Sequence, residues 1–222
     1  MNFCADIFAD YNCLTNAEGL LAAGMEDVNV TFDMFFREIP DKGGFAVMAG
    51  LEQLINRLSD LSFTEESLSS LKEQGFSDKL TEYFRNFKFS CDVYAMPEGT
   101  PVFPNEPIVK VHGPALQAQL IETILLNTVN HQTLIATKAN RVYRAASGRK
   151  VIEMGARRAQ GTSAAVDGAR ASYVGGVNAT SLYPASQKYG IPVATMMGHG
   201  WVQLFDSEIE AFKVYLEEHG EE

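Results

Sequence analysis

Cysteine is scarce in this 222-residue chain: Cys4, Cys13 and Cys91 are odd in number and form no C-x-x-C pair. That argues against a disulfide framework or a structural zinc site and suits a reducing compartment. Long apolar runs are missing as well. None approaches the roughly 18 residues that a membrane-spanning helix needs. The opening "MNFCADIFADYNC" has no basic stretch followed by an apolar one, so it does not read as a secretory signal. Cytoplasm is the expected location. Positive charge is also in short supply, since 18 Lys and Arg face 28 Asp and Glu for a formal net charge of -10. A surface of that sign repels nucleic acid and anionic membrane, and neither is an expected partner. The nucleotide patterns G-x-G-x-x-G and the P-loop are absent. What is present, 46% hydrophobic and 21% charged residues, is ordinary globular material for one large domain or two small ones.

The scarce positive charge is unevenly placed. Between Lys138 and Arg170 lie eight basic residues, Lys138, Arg141, Arg144, Arg149, Lys150, Arg157, Arg158 and Arg170, against only Glu153 and Asp167. A basic cluster in an acidic protein suggests a focused site for a small anion. For Arg141, Arg144 and Lys150 a solvated basic helix paired with acidic neighbours fits equally well.

The first part of the chain mixes strand and helix signals. "NVTFDMFFREIP" predicts a strand ended by Pro40, and "GGFAVMAGLEQLINRLSDL" predicts a helix with Val47, Leu51, Leu54, Ile55 and Leu58 on one face. "TEESLSSLKEQG" predicts a short helix capped by Thr64, with Glu65 and Glu66 in its first turn and Gly75 ending it. Another follows near "SDKLTEYFRNF". In "KFSCDVYAMPEGTPVFPNEPIVKVHG", alternation around Phe89, Cys91 and Val93, then Val102, then Ile108, Val109 and Val111 predicts a small antiparallel sheet, its prolines suggesting exposed edges. Gly113-Pro114 then opens a helical region with Leu116, Leu120, Ile124 and Leu125 on its apolar face, and a further helix is expected over about 132–146.

From Val151 the rhythm changes. "VIEMG", "ATS" and "IPVATMM" read as short strands, separated and followed by the helical stretches "GTSAAVDGARASYVGG", "LYPASQKYG" and "DSEIEAFKVYLEEHG". Alternating strand and helix predicts a parallel sheet or (β/α) barrel. Three strands are too few for a closed barrel, which takes about eight. The expected fold class is therefore α/β: an N-terminal α/β domain over 1–130 with the small antiparallel sheet, then the first part of an irregular barrel over 131–222.

In parallel βα architectures ligands collect at the C-terminal ends of strands. "EMGARRAQG" puts Arg157 and Arg158 at one such end, where guanidinium groups suit phosphate or carboxylate. "ATMMGHGWVQLF" puts His199 just past another, beside Trp201. His112, His131 and His219 read as structural, and no histidine pair has metal-ligand spacing.

The runs "ETILLNTVNHQTLIATKANRV", "EMGARRAQG", "ARASYVGG" with "ATS", and "IPVATMMGHGWV", together with "FDMFFREIPDKGGFAVMAGLEQLI" near the start, resemble the nicotinate phosphoribosyltransferase family over nearly the whole chain. Members are longer, so the chain resembles an N-terminal portion. The resemblance implies a type II phosphoribosyltransferase fold and the salvage step of NAD biosynthesis. Nicotinate and phosphoribosyl pyrophosphate would give nicotinate mononucleotide and pyrophosphate, with ATP as co-substrate, magnesium, and a homodimer in the cytoplasm. This is a glycosyltransferase reaction with ligase-type coupling to ATP. By the same resemblance His199 is the catalytic residue, transiently phosphorylated, and Arg157 reaches the phosphoribosyl and nicotinate anions.

The remaining substrate-side residues follow motif by motif. Thr180 and Ser181 match the family's "GTD" or "GTS" position, where a serine in place of aspartate favours a carboxylate substrate over a carboxamide. Met154 stands where the family has an aromatic that stacks on the pyridine ring. Asn12, with Tyr11 beside it, stands at a tyrosine expected to cover the ring in a dimer partner's site. Met196 replaces a substrate-side threonine, and Leu182 an asparagine. Two other readings remain: a quinolinate phosphoribosyltransferase-like enzyme, which needs no phosphohistidine, and a silent fragment that dimerises or binds a full-length relative.

Overall fold

The computed structural model describes residues 7–220; Cys4 lies outside them. The chain opens with α1 (Tyr11–Ala23), β1 (Asn29–Met34), β2 (Ala46–Val47), α2 (Leu51–Ser59), α3 (Glu65–Glu73) and α4 (Asp78–Arg85). It continues through β3 (Asp92–Ala95), β4 (Pro101–Val102), β5 (Val109–Pro114), α5 (Ala115–Leu120) and the 24-residue α6 (Glu122–Ala145). Then come β6 (Ile152–Glu153), α7 (Thr162–Val174), β7 (Ala179–Thr180), α8 (Tyr183–Tyr189), α9 (His199–Val202) and α10 (Glu208–His219).

Local chemistry accounts for the short helices. Thr64 accepts the Ser67 N–H at the start of α3, and Ser77 does the same for Leu80 at α4, as expected of hydroxyl caps. The sheet β1–β5–β3 is antiparallel, running from Asn29 opposite Pro114 to Met34 opposite Val109, with Asp92 opposite His112 on the other side. β4 pairs instead with β2, Ala46 opposite Val102. The strand expected up to Pro40 stops at Met34, whose carbonyl accepts the Ile108 N–H at 2.8 Å. Pro107 follows on the partner side and has no N–H to extend the ladder. Pro101 opens β4, which pairs on one side only with β2, and Pro114, where a helical region was expected to open, is the N-cap of α5.

Two further expectations are corrected. Val47 is not on the helical face but in β2, because Gly50 breaks the helical run at φ +100, a conformation that favours glycine. A Cβ there would lie 2.9 Å from the Thr128 carbonyl oxygen of α6. Ile55 is exposed as well. The helix expected from about 132 begins ten residues earlier: α5 and α6 are divided only at Ile121, and no glycine or proline interrupts 122–145.

The main core lies where the three-stranded sheet meets α2 and α6, with Met48, Leu54, Val109, Ile121 and Val129 almost fully enclosed. A second core joins α1, α3, α4 and α5 around Leu68, Leu80, Phe84 and Leu116. Burying a leucine or phenylalanine contributes about 1.5–3 kcal/mol relative to exposure. Cys13 and Cys91 are free and buried, and burial pushes the Cys91 thiol up to about 11. Two buried threonines give α6 a second function. Thr137 and Thr133 accept the backbone N–H groups of Val47 (2.9 Å) and Ala49 (3.2 Å), satisfying a buried extended segment that pairs along one side only with β4.

α7 crosses α6 through small residues, Ala171 packing with Ala136 and Gly175 lying against Ala136 and Ala139. β6 and β7 then pair in parallel, Ile152 opposite Ala179. The third expected strand, "IPVATMM", is reduced to one parallel bridge, Thr180 to Val193, held by Thr180 N–H to Pro192 O (3.0 Å) and Ala194 N–H to Thr180 O (3.1 Å). Its far edge has no ladder among the described residues, so the strand is not extended. No helix among the described residues is long and apolar enough to cross a membrane.

Candidate active site

Three parallel strand segments end side by side: β6, β7 and the segment through Val193. Residues just beyond each therefore emerge at one edge of this small sheet. After β6 the chain passes Met154 and Gly155 and makes a 3-10 turn over Ala156–Arg158, closed by the Arg158 N–H on the Gly155 carbonyl at 2.8 Å. Ser181 follows β7, its N–H on the Glu153 carbonyl at 2.9 Å. Met196 and His199 follow the third segment, both exposed, with His199 opening α9.

A groove of roughly 1530 Å³ runs between α6, the loop after β6 and α7. Its walls are mostly apolar, with a few polar groups converging on it: His131 and Lys138 from α6, Asp167 from α7, Glu153 and Arg158 at the strand end. Enclosed ligand pockets usually measure about 300–1,000 Å³, so this groove is wider than one small ligand fills. Met154 lines it. Arg158 lines it and Arg157 does not, although both are exposed and neither forms an ion pair among the described residues. Thr180, Ser181, Met196 and His199 lie outside it. The structure thus sets Arg157, Ser181 and His199 on adjacent strand ends without enclosing them in one cavity.

Thr180 is fully buried and its hydroxyl is occupied: it donates to Glu153 Oε2 at 2.7 Å and accepts the Leu182 N–H at 3.0 Å. Ser181, by contrast, is exposed. Tyr11 and Asn12 sit on α1, the Tyr11 ring against Phe76 at 5.4 Å, and neither lines the groove; Ile7 and Phe8, just before that helix, do.

The basic cluster separates into parts. Arg170, buried on α7, forms a two-pronged pair with Glu98 (2.9 and 2.7 Å), also bonds Glu52, and lies 5.6 Å over the Tyr189 ring. Burial alone would raise the Glu98 carboxyl. The guanidinium, together with the Gly50 and Leu51 N–H groups, outweighs it and holds that carboxyl below the usual range. Lys138 and Arg141 meet Asp41 at 3.1 and 3.0 Å, and Arg144 lies over Phe45. These four belong to the scaffold, and the charge open to a ligand in the loop after β6 is that of Arg157 and Arg158. Sequence reasoning passed over Glu153 and underweighted Arg158. The signal available was position, since Glu153 is the last strand residue and Arg158 closes the turn that follows.

Comparison with known proteins accounts for this layout. The fold is that of the type II phosphoribosyltransferases: a nicotinate-nucleotide pyrophosphorylase from Pyrococcus furiosus superposes with TM-score 0.77 at 23% identity, over 95% of this chain and 46% of that one. Human nicotinic acid phosphoribosyltransferase superposes with TM-score 0.83 at 34% identity, over 89% of this chain and 40% of that one. The family described as nicotinate phosphoribosyltransferase (NAPRTase) N-terminal domain matches residues 7–130, and the chain belongs to the nicotinate phosphoribosyltransferase family. Among curated relatives, nicotinate phosphoribosyltransferase pncB2 of Mycobacterium tuberculosis is 42% identical over 94% of this chain, and the Bacillus subtilis nicotinate phosphoribosyltransferase 42% over 96%. The chain spans 45% and 44% of their lengths.

Proposed function

We propose that this chain carries the pyridine- and phosphate-binding strand ends of a nicotinate phosphoribosyltransferase acting in NAD salvage in the cytoplasm. The observation that supports it most is the row of parallel strand ends with Arg157 and Arg158 after the first, Ser181 after the second and His199 after the third. In this reading the pyridine nitrogen of nicotinate attacks C1 of phosphoribosyl pyrophosphate, the C1–O bond breaks, and pyrophosphate leaves with the electron pair. An arginine there stabilises the departing charge and orients the substrate carboxylate. Arg158 shares its groove with Met154, which offers an apolar, adaptable surface to the ring. Ser181 presents a neutral hydroxyl where an aspartate would repel a carboxylate, so nicotinate is the substrate and nicotinamide is not.

His199 is proposed to take a phosphoryl group from ATP, releasing ADP, and to lose it to water as phosphate. Its exposure suits that exchange, and the added charge would act on neighbouring loops. Among the described residues no three His, Cys, Asp or Glu side chains cluster to hold a metal ion. Magnesium therefore enters the proposal as the companion of the substrate phosphates, the way that ion is commonly held. The homodimer would bring Tyr11 and Asn12 of one copy to the site of the other.

One experiment tests the reading. The protein is incubated with ATP, magnesium and phosphoribosyl pyrophosphate, and nicotinate, nicotinamide or quinolinate is added. Nicotinate mononucleotide formation that fails in His199→Ala supports it. Product from quinolinate without ATP points to the other branch of the fold. A second reading, a silent fragment that dimerises or binds a full-length relative, is favoured by the width of the groove, and it predicts no product from any of the three and no binding of the ring.

A further inference from the structure

We propose that Glu153 is a positioning residue: its carboxylate ties the loop after β6 to the turn after β7 and so sets Arg158 relative to Ser181. Only the effect on ligand affinity rests on the phosphoribosyltransferase reading above; the tie itself does not.

Both carboxylate oxygens are engaged, each with a different loop. Oε1 accepts the Gly155 N–H, at the start of the turn that carries Arg157 and Arg158. Oε2 accepts the Thr180 hydroxyl at 2.7 Å, and the Thr180 oxygen in turn accepts the Leu182 N–H at 3.0 Å. The Glu153 carbonyl takes the Ser181 N–H at 2.9 Å. A single residue therefore fixes backbone groups on both sides of the two strand ends. Hydrogen bonds to an ionised carboxylate are roughly twice as strong as neutral ones, and buried Thr180 makes the relay rigid.

Charge placement carries the argument further. A carboxylate beside two arginines ordinarily captures one of them. Here Glu153 forms no ion pair among the described residues; its oxygens accept an N–H and an O–H instead. Both guanidinium groups stay open to an incoming anion. Gly155 is part of the arrangement: a Cβ there would lie 2.9 Å from Glu153 Oε1, so a larger residue would push the carboxylate aside.

The test follows amide hydrogen exchange at Gly155 and Leu182 in the full 222-residue protein, alongside binding of nicotinate mononucleotide and of inorganic pyrophosphate. Glu153→Gln keeps shape but supplies one acceptor oxygen instead of two. Gly155→Ala displaces the carboxylate without touching its charge, and Thr180→Ser keeps the relay. Expected are at least tenfold faster exchange at Gly155 or Leu182 in Glu153→Gln, faster exchange at both in Gly155→Ala, and near-normal exchange in Thr180→Ser. Nicotinate mononucleotide affinity should fall about tenfold in the first two, the scale of one hydrogen bond to a charged group. Unchanged exchange at both amides in Glu153→Gln and Gly155→Ala overturns the tie. Loosened amides with unchanged affinity, in a wild type that binds, overturn the positioning role. A wild type that binds neither probe sinks the phosphoribosyltransferase reading instead, and the exchange data still decide whether the tie exists.

Discussion

The two parts of this molecule are stabilised in different ways. Before residue 150 the enclosed side chains are large: Phe84, Met48, Leu54, Leu80 and Leu116 fill two cores between sheet and helices. After it the enclosed apolar residues are Ala169, Ala171, Val177, Ala179, Ala185, Ile191 and Ala211, with no leucine, phenylalanine or methionine among them. Large apolar residues are present there, but they face outward, as with Leu204 (83% exposed), Ile209 and Met196. One part folds around its own bulk. The other is a row of strand ends held to the first by close helix crossing and by the part-buried pairing of Arg170 with Glu98. That is a reasonable design for a site, because strand ends that present polar groups to a ligand cannot also bury large side chains.

The contrast can be broken at its joint. Arg170→Ala leaves the part-buried Glu98 carboxylate without its partner and should cost about 3 kcal/mol, read from urea unfolding. Within the first part, Phe84→Ala should cost about 3–5 kcal/mol, while Leu204→Ala in the second should stay within about 0.5 kcal/mol. A loss at Leu204 matching that at Phe84 would show that the second part has a core of its own. The helix crossing gives a finer test. Gly175→Ala sets a Cβ 2.4 Å from the Ala136 carbonyl and should cost about 1–3 kcal/mol, whereas Gly168→Ala on the same helix meets nothing nearer than 4.0 Å. That second change should stabilise by about 0.5–1 kcal/mol through helix propensity.

The smallest effect is one of pH. The Glu98 carboxyl is held below its ordinary value of 4.5, so the stability it contributes is complete above that pH and is lost as pH falls through the lowered folded value. Wild type and Glu98→Gln should therefore differ by a constant amount at neutral pH and converge below about 4.5. Convergence on raising the pH instead would mean that the carboxylate is not the stabilised form.

Much of the first part was legible in the chain because its signals are local. The Thr64 cap, the α3 and α4 boundaries and the alternation in β3 and β5 depend on residues within a turn or two of each other. The break at Gly50 was not legible, since the backbone it must approach, Thr128, lies 78 residues away. The site shows the same division. Arg157, Arg158 and Ser181 stand beside strand ends that the βα rhythm predicts, and the Met154 position shares the groove with Arg158. The basic cluster left open whether Arg141 pairs with acidic neighbours, and only the fold decides that Arg170, Lys138 and Arg141 meet acidic residues from distant segments.

By itself the sequence determined the order of helices and strands, the small-residue character of α7 and the placement of two arginines after a strand, all of which follow from local propensity and spacing. Tertiary structure alone decided which arginines remain open, that Thr180 is a strut while Ser181 faces outward, and that Glu153 joins two loops. The physical reason is common to all three: charge pairing and hydrogen bonding act through space over a few ångströms, and the groups concerned are tens of residues apart along the chain.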